Sequence, residues 1–380
     1  MADVQALFIF FFLSGSSEES DRQILNGEID LIYASPESLI SNAAWREDMK
    51  KLNVHTLVID EFHTIATWGE DQTGLKKQAF RKWFSHIGEL RSLFPKASVV
   101  ALSATSTVKI QKRVAKELSL GPNTVQIVMS PNKSNIKYSA FKIPSDIEIA
   151  MSWMVDGIKQ LLIEFPKTLL YCTSINDVSK LYTYLIKELD SSSHSHIEMF
   201  HSETPLTKKT EIVNCLSDRN DTSNTRVIIC TSALGMGIDV SNCSNVILFG
   251  LPENLVDLVQ EIGRIGRSGD PSVALILFNT YHLRKLSKTM KDLCSDTCRR
   301  MTIMKHFLSE TDLNELKKET GKHTCCDVCD KICSCGNCEY LSLEKLFDQS
   351  LISNSDNSQS VDSSESLDDY FDDTLDLNLC

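Results

Sequence analysis

Thr56-Leu57-Val58-Ile59-Asp60-Glu61 is a short apolar run that stops at two adjacent carboxylates. Such a run, without polar alternation, describes a strand buried on both faces, as in a parallel sheet covered by helices. In sheets of that kind, ligands collect beyond the carboxyl ends of the strands. Asp60 and Glu61 therefore mark the end where chemistry belongs. Asp30-Leu31-Ile32-Tyr33-Ala34 and Val99-Val100-Ala101-Leu102-Ser103 repeat the design, and residues 6–14 read as a further core strand. Helical stretches alternate with these strands, which predicts an α/β layer. A second series of buried runs follows Ser130-Pro131-Asn132, at residues 168–172, 226–230, 245–249 and 274–278. Two α/β lobes with parallel sheets are expected.

The second lobe contains Gln260-Glu261-Ile262-Gly263-Arg264-Ile265-Gly266-Arg267. If this segment is helical, its two arginines share one face. A guanidinium offers a fixed fork of donors that fits phosphate oxygens two at a time. By itself the stretch fits either a salt-bridged surface helix or a phosphate-reading element.

The 380 residues suffice for two or three domains with real cores. The formal net charge is -12, but residues after Leu351 include seven Asp and one Glu with no Lys or Arg. Most of the acidity is thus local, and a basic groove for nucleic acid is not excluded. Eight of the 13 cysteines fall between Cys294 and Cys338, a clustering that points to metal rather than a disulfide scaffold. Cys172 and Cys230 sit in apolar runs and read as buried thiols of a reducing compartment. The apolar run at 6–13 is too short to span a bilayer and lacks signal-peptide flanks, so no membrane partner is expected.

Five segments resemble the motifs of a RecQ-type helicase of superfamily 2. Asp60-Glu61-Phe62-His63 is similar to motif II, and Ser103-Ala104-Thr105 to motif III. Thr231-Ser232-Ala233-Leu234-Gly235-Met236-Gly237-Ile238-Asp239 resembles motif V, and the arginine stretch motif VI. Ser35-Pro36-Glu37 resembles motif Ib, which touches the DNA backbone. The resemblance runs from about Ala6 to about Cys338. It implies two RecA-like lobes, the first one incomplete, then a small helical zinc-binding module and a disordered acidic tail. The expected limits are residues 1–125, 126–284, 285–340 and 341–380.

By the same resemblance, Asp60 holds Mg²⁺ and Glu61 is the general base for the attacking water. His63 links the nucleotide site to the rest of the motor, and Gln260 bridges nucleotide and nucleic acid. Arg264 and Arg267 face the phosphates from the opposite lobe, and Gly237 and Asp239 face the ribose and the metal's water. Phe62 stands where the family usually has Ala. ATP binding also requires a loop of the form G-x-x-x-x-G-K-[ST], which this sequence does not contain. The chain by itself is therefore expected to be inactive.

For DNA, Trp68-Gly69 resembles the start of the family's aromatic-rich loop. Eight extra residues, 72–79, separate Asp71 from Phe80-Arg81. Aromatic groups stack on bases and basic groups track phosphates, so Trp68, Phe80 and Arg81 are expected single-strand contacts. Thr231 and Ser232 are expected to hydrogen-bond the strand's backbone.

Cys298-Arg299-Arg300 and Cys325-Cys326-Asp327-Val328-Cys329 match the RecQ zinc module, which implies Zn²⁺ on Cys298, Cys325, Cys326 and Cys329. His323 is an alternative to Cys325. Cys333, Cys335 and Cys338 are either free thiols or part of a second site completed by a residue such as Cys294. In the tail, Leu367, Tyr370 and Phe371 resemble a sliding-clamp docking motif, and the surrounding carboxylates also suit a single-strand-binding protein.

The function implied is an ATP-dependent 3′–5′ DNA helicase acting on single-stranded and forked DNA in nuclear repair, recombination and replication. The alternative is a non-catalytic DNA- or protein-binding relic of such an enzyme. The zinc module argues against an RNA helicase or a nucleosome remodeller.

Overall fold

The structure is a computed structural model that describes residues 2–9, 18–41, 43–68, 83, 86–234, 238–336, 338, 341 and 343–347. Strands β1 (Ala2–Ile9), β2 (Leu31–Ala34), β3 (Leu52–Ile59) and β4 (Ser98–Ala101) form a parallel sheet in the order β2-β1-β3-β4. Its register aligns Ile9, Ala34, Ile59 and Ala101 in one row at the carboxyl edge. The chain steps from β1 to β2 on one side, then returns past β1 to β3. Asp60 thus follows β3 where the strand order reverses, which is where open parallel sheets bind ligands. The first strand begins at Ala2 rather than at residue 6, and residues 10–14 lie outside the described residues.

The two-residue period of the strands separates this sheet into two faces. Leu7, Ile9, Ile32, Leu57 and Ile59 enter a core with Leu39, Ile40, Leu90 and Leu118. On the opposite face, Phe8 stacks on Tyr33 with ring centroids 5.0 Å apart. Leu31, Tyr33 and Val100 remain exposed.

The second sheet comprises β5 (Ile136–Lys142), β6 (Thr168–Cys172), β7 (Ile197–Phe200), β8 (Val227–Cys230), β9 (Asn245–Phe249) and β10 (Ser272–Phe278). All its pairings are parallel, in the order β5-β10-β9-β6-β8-β7. Alternate residues feed two cores. Leu169, Tyr171, Val246 and Leu248 enter one; Leu170, Cys172, Ile247 and Phe249 enter the other. Helix Ile147–Leu161, capped by the Asp146 side chain, covers the second core with Met151, Met154 and Ile158.

Strands β5 and β7 were not expected from the sequence. Lys137 and Ser139 interrupt the apolar pattern of β5, and Glu198 that of β7. Partners far downstream bury the β5 polar groups. Lys137 Nζ lies 2.7 Å from Asp330 and 3.2 Å from Glu344, and Ser139 Oγ donates to Glu344 at 2.9 Å.

After β10, helices Lys288–Asp292, Arg299–Met304, Glu310–Glu319, Lys322–Cys325 and Asp327–Asp330 build a small module. Ile303, Phe307, Cys325 and Cys326 join the first core of the second lobe. A bridge from Cys326 to Tyr138 covers the outer edge of β5, a protection that edge strands require. The chain then reaches the other face of the sheet, where Leu343 and Phe347 enter the second core. Residues 343–347, expected within the tail, form a helical turn whose apolar groups pack instead of remaining in water. Apart from Leu341, the rest of the expected tail, with Leu367, Tyr370 and Phe371, lies outside the described residues.

Candidate active site at the lobe interface

The Asp60–Glu61 turn is held from three strands. Asp60 N donates to Ile9 O at 3.3 Å, Leu102 N to Ile59 O at 2.8 Å, and Phe62 N to Leu102 O at 2.9 Å. Glu61 has φ 46°, a left-handed conformation that costs a non-glycine residue of order 1–3 kcal/mol. That bend turns the chain from the strand into helix His63–Trp68. Asp60 Oδ1 accepts from Glu61 N at 2.8 Å. Burial nonetheless raises the Asp60 pKa above the usual carboxylate range. Phe62 packs against the core of its own lobe, so its extra bulk is taken up there.

His63 is buried, with Nδ1 2.9 Å from Ser103 Oγ and 3.1 Å from Glu61 Oε2. Gln260 reaches this histidine from helix Leu255–Ile262 of the second lobe. Its amide donates to His63 Nε2 at 3.0 Å and to Thr105 Oγ1 at 3.2 Å. One hydrogen-bonded network thus joins the acidic turn, the Ser103-Ala104-Thr105 segment and the arginine segment.

The arginines do not share a helix face as expected. The helix ends at Ile262 with Gly263 as its cap, and Gly266 adopts φ 63°. A Cβ at Gly266 would stand 2.7 Å from Asn135 Nδ2, so glycine is required on both counts. Lys133 and Asn135, which the sequence reading missed, hold this turn. Lys133 Nζ donates to Gly263 O at 2.9 Å and Ile265 O at 2.8 Å, and Asn135 Nδ2 to Gly266 O at 3.0 Å. A cation on carbonyls at a helix's carboxyl end is favourable. Burial, then the charges of Arg267 and Arg264, lower the Lys133 pKa. The only local hint was a polar Asn-Lys-Ser-Asn run about 130 residues upstream of the turn.

Arg264 is partly buried and donates to Ile238 O at 3.0 Å, while burial lowers its pKa. Arg267 is ion-paired with Asp239. Thr231 and Ser232 follow β8, with Ser232 exposed at the start of a short 3-10 turn. Gly237, Phe80, Arg81 and the Trp68 side chain lie outside the described residues. Two neighbouring carboxylates suit a hard cation such as Mg²⁺, and two guanidiniums suit phosphate oxygens. The donor set therefore fits part of a nucleotide site. The residues given include no G-x-x-x-x-G-K-[ST] stretch.

Behind the second lobe, Cys298, Cys325, Cys326 and Cys329 bring four sulfurs within 4.8 Å of one another, close enough to hold a metal ion. Cys298 Sγ lies 3.5 Å from Cys325 Sγ and 4.0 Å from Cys326 Sγ. His323 is not in this group, so it does not replace Cys325. The adjoining arginines frame the cluster. Arg299 forms a two-pronged pair with Asp327, both bonds 3.0 Å. Arg300 is fully buried and donates to Asn132 Oδ1 at 2.6 Å, Lys133 O at 2.8 Å and Ile136 O. It also donates to Thr324 O and Cys325 O at 3.3 and 3.4 Å. Its guanidinium lies over the Tyr138 ring, 4.8 Å from the centroid. This one side chain ties the module, the inter-lobe linker and β5 together.

Two RecA-like lobes, with a carboxylate turn in one facing arginines in the other, define a superfamily 2 helicase motor. The DEAD/DEAH box helicase family matches residues 2–114, and the helicase conserved C-terminal domain matches residues 153–269. Over 322 residues the chain is 27% identical to the ATP-dependent DNA helicase RecQ of Haemophilus influenzae, covering 78% of this chain and 48% of that one. It is 32% identical over 253 residues to the probable ATP-dependent DNA helicase RecS of Bacillus subtilis, covering 65% of this chain and 45% of the relative. The helicase Lhr of Mycobacterium smegmatis, solved with single-stranded DNA and AMP-PNP, shares the fold with a TM-score of 0.53 at 19% identity. That likeness covers 77% of this chain and 37% of Lhr. The chain belongs to the RecQ family of helicases. It spans about half the length of the curated relatives it matches first. Among the described residues, no helix is long and apolar enough to cross a membrane.

Proposed function

We propose that this chain carries the motor of an ATP-dependent 3′–5′ DNA helicase that opens duplex DNA in nuclear repair, recombination and replication. The observation that carries the proposal is the Gln260 contact with both His63 and Thr105, which couples the two lobes at the expected nucleotide cleft. ATP with Mg²⁺ supplies the phosphoryl group whose hydrolysis drives lobe movement. Asp60 would hold the cation, and Glu61 would orient and deprotonate the attacking water. Arg264 and Arg267 would meet the developing phosphate charge. Asp239 would release Arg267 to the phosphates when nucleotide enters, as its ion pair with that side chain suggests. Gly237 would border the ribose.

Trp68, Phe80, Arg81, Thr231 and Ser232 would contact single-stranded DNA. Residues 1–125 and 126–284 would be the two motor lobes, and residues 285–340 a module with Zn²⁺ on Cys298, Cys325, Cys326 and Cys329. Of residues 341–380, the acidic part beyond Phe347 would dock on a sliding clamp or a single-strand-binding protein. Without a Gly-rich phosphate loop, the chain by itself would not turn over ATP.

Fluorescence anisotropy with single-stranded DNA and RNA of one sequence tests the substrate class. Tighter binding of DNA, weakened in Arg81→Ala and Thr231→Ala, is expected. Equal affinity for RNA, or binding indifferent to both substitutions, contradicts the assignment.

A further inference from the structure

Four ligand-bearing side chains outside the first cysteine cluster converge just beyond it. His323, Cys333, Cys335 and Cys338 place one imidazole nitrogen and three sulfurs within 4.8 Å of one another. His323 Nδ1 lies 3.3 Å from Cys335 Sγ and 3.8 Å from Cys333 Sγ, and Cys335 Sγ lies 3.5 Å from Cys338 Sγ. Tetrahedral zinc, with bonds of about 2.3 Å to sulfur and about 2.0 Å to nitrogen, sets its ligands about 3.5–3.8 Å apart. The observed separations bracket that range, and they are far from the ~2.05 Å of a disulfide. Three thiolates and one imidazole form a closed, soft donor set of the kind that structural zinc takes. Cys294, the completing ligand considered from the sequence, is not in this group.

The local backbone also suits an ion. Gly336, next to Cys335, adopts φ 75°, a left-handed conformation that favours glycine. The short helix Lys322–Cys325 supplies both clusters, with His323 on one and Cys325 on the other. No ligand is shared between them.

We infer that His323, Cys333, Cys335 and Cys338 form a second structural zinc site, distinct from the Cys298 cluster, that pins the chain where it rounds the edge of β5. Cys326 lies in the core on one face of the sheet, and Leu343 in the core on the other. The new site sits on the connection between them. Lys137 anchors both ends of that connection, through Asp330 before the last three cysteines and Glu344 after them. Zinc between those anchors fixes the intervening loop, where, among the described residues, Ile332, Cys335 and Cys338 are exposed. The inference does not depend on the helicase reading.

Metal analysis of the full chain, purified under reducing conditions and passed through gel filtration in metal-free buffer, should find two zinc ions per chain. The Cys333→Ser, Cys335→Ser double variant should keep one, and hydrogen exchange over residues 331–347 should accelerate in it. Zinc should also shield Cys335 and Cys338 from alkylation in the unaltered chain, with shielding lost on chelation. That readout survives if the double variant fails to fold. One zinc per chain, a second zinc that washes out on gel filtration, or alkylation equally fast with and without metal would overturn the site. Unchanged exchange over 331–347 in a variant that has lost the second ion would overturn the pinning role.

Discussion

Replacing Arg300 by lysine keeps the charge and removes the fork. In the structure, five oxygens accept from this guanidinium: Asn132 Oδ1 and the carbonyls of Lys133, Ile136, Thr324 and Cys325. Four N–H groups on its two terminal nitrogens serve these oxygens, whereas an ammonium has three donors on a single atom, so at least one acceptor loses its donor. A buried acceptor left unpaired costs about 1–3 kcal/mol, which sets the expected loss for Arg300→Lys. The Tyr138 contact offers little relief, because a lysine cation can keep it. Urea unfolding followed by far-ultraviolet circular dichroism measures the loss, read as a fall in midpoint at unchanged slope. A change below about 1 kcal/mol would refute the claim that this side chain binds the module, the linker and β5 into one unit.

Chelating the metal from the Cys298 cluster should unfold the segment after Leu283, because binding supplies much of such a module's folding free energy. Unchanged metal content in Cys298→Ser with Cys329→Ser would count against that site. Glu261 offers a pH test. Burial, then the neighbouring Asp257 charge, raises its pKa well above the usual carboxylate range. The folded chain therefore retains a proton that the unfolded chain releases, so this residue's contribution is full below the unfolded pKa of about 4.3 and is lost as pH rises toward the folded one. The thermal midpoint of Glu261→Gln relative to the parent should rise progressively from pH 5 to pH 8; a constant gap would show that Glu261 does not titrate as its burial requires.

Strands buried on both faces were legible. β6, β8, β9, β10 and the 57–59 end of β3 are near-continuous apolar runs, and their order with the intervening helices implied two parallel sheets. β5 was not, because the partners of Lys137 lie about 190 and 210 residues downstream. The same distance problem hid Lys133 and Asn135, whose role exists only once the Gly263–Gly266 carbonyls have turned toward them. The arginine segment was legible as chemistry but not as conformation. Spacing favoured a helix, yet Gly263 ends it and Gly266 turns it. The cysteine cluster was legible through Cys298 and the Cys325–Cys329 pattern, whereas the placement of His323 depends on how Lys322–Cys325 is oriented in space. No pattern in the sequence announced that Gln260 would meet both His63 and Thr105 in one network.

That network makes DNA-stimulated ATP hydrolysis the most direct test, measured with the chain as given and with the chain extended by a Gly-rich phosphate loop. The chain as given should be silent. The extended form should turn over, with Arg267→Ala lowering the rate by about 10³-fold and Glu61→Gln abolishing it. Sustained turnover by the chain as given that Glu61→Gln abolishes, or turnover in the extended form that neither substitution alters, would contradict a motor site divided between these two lobes.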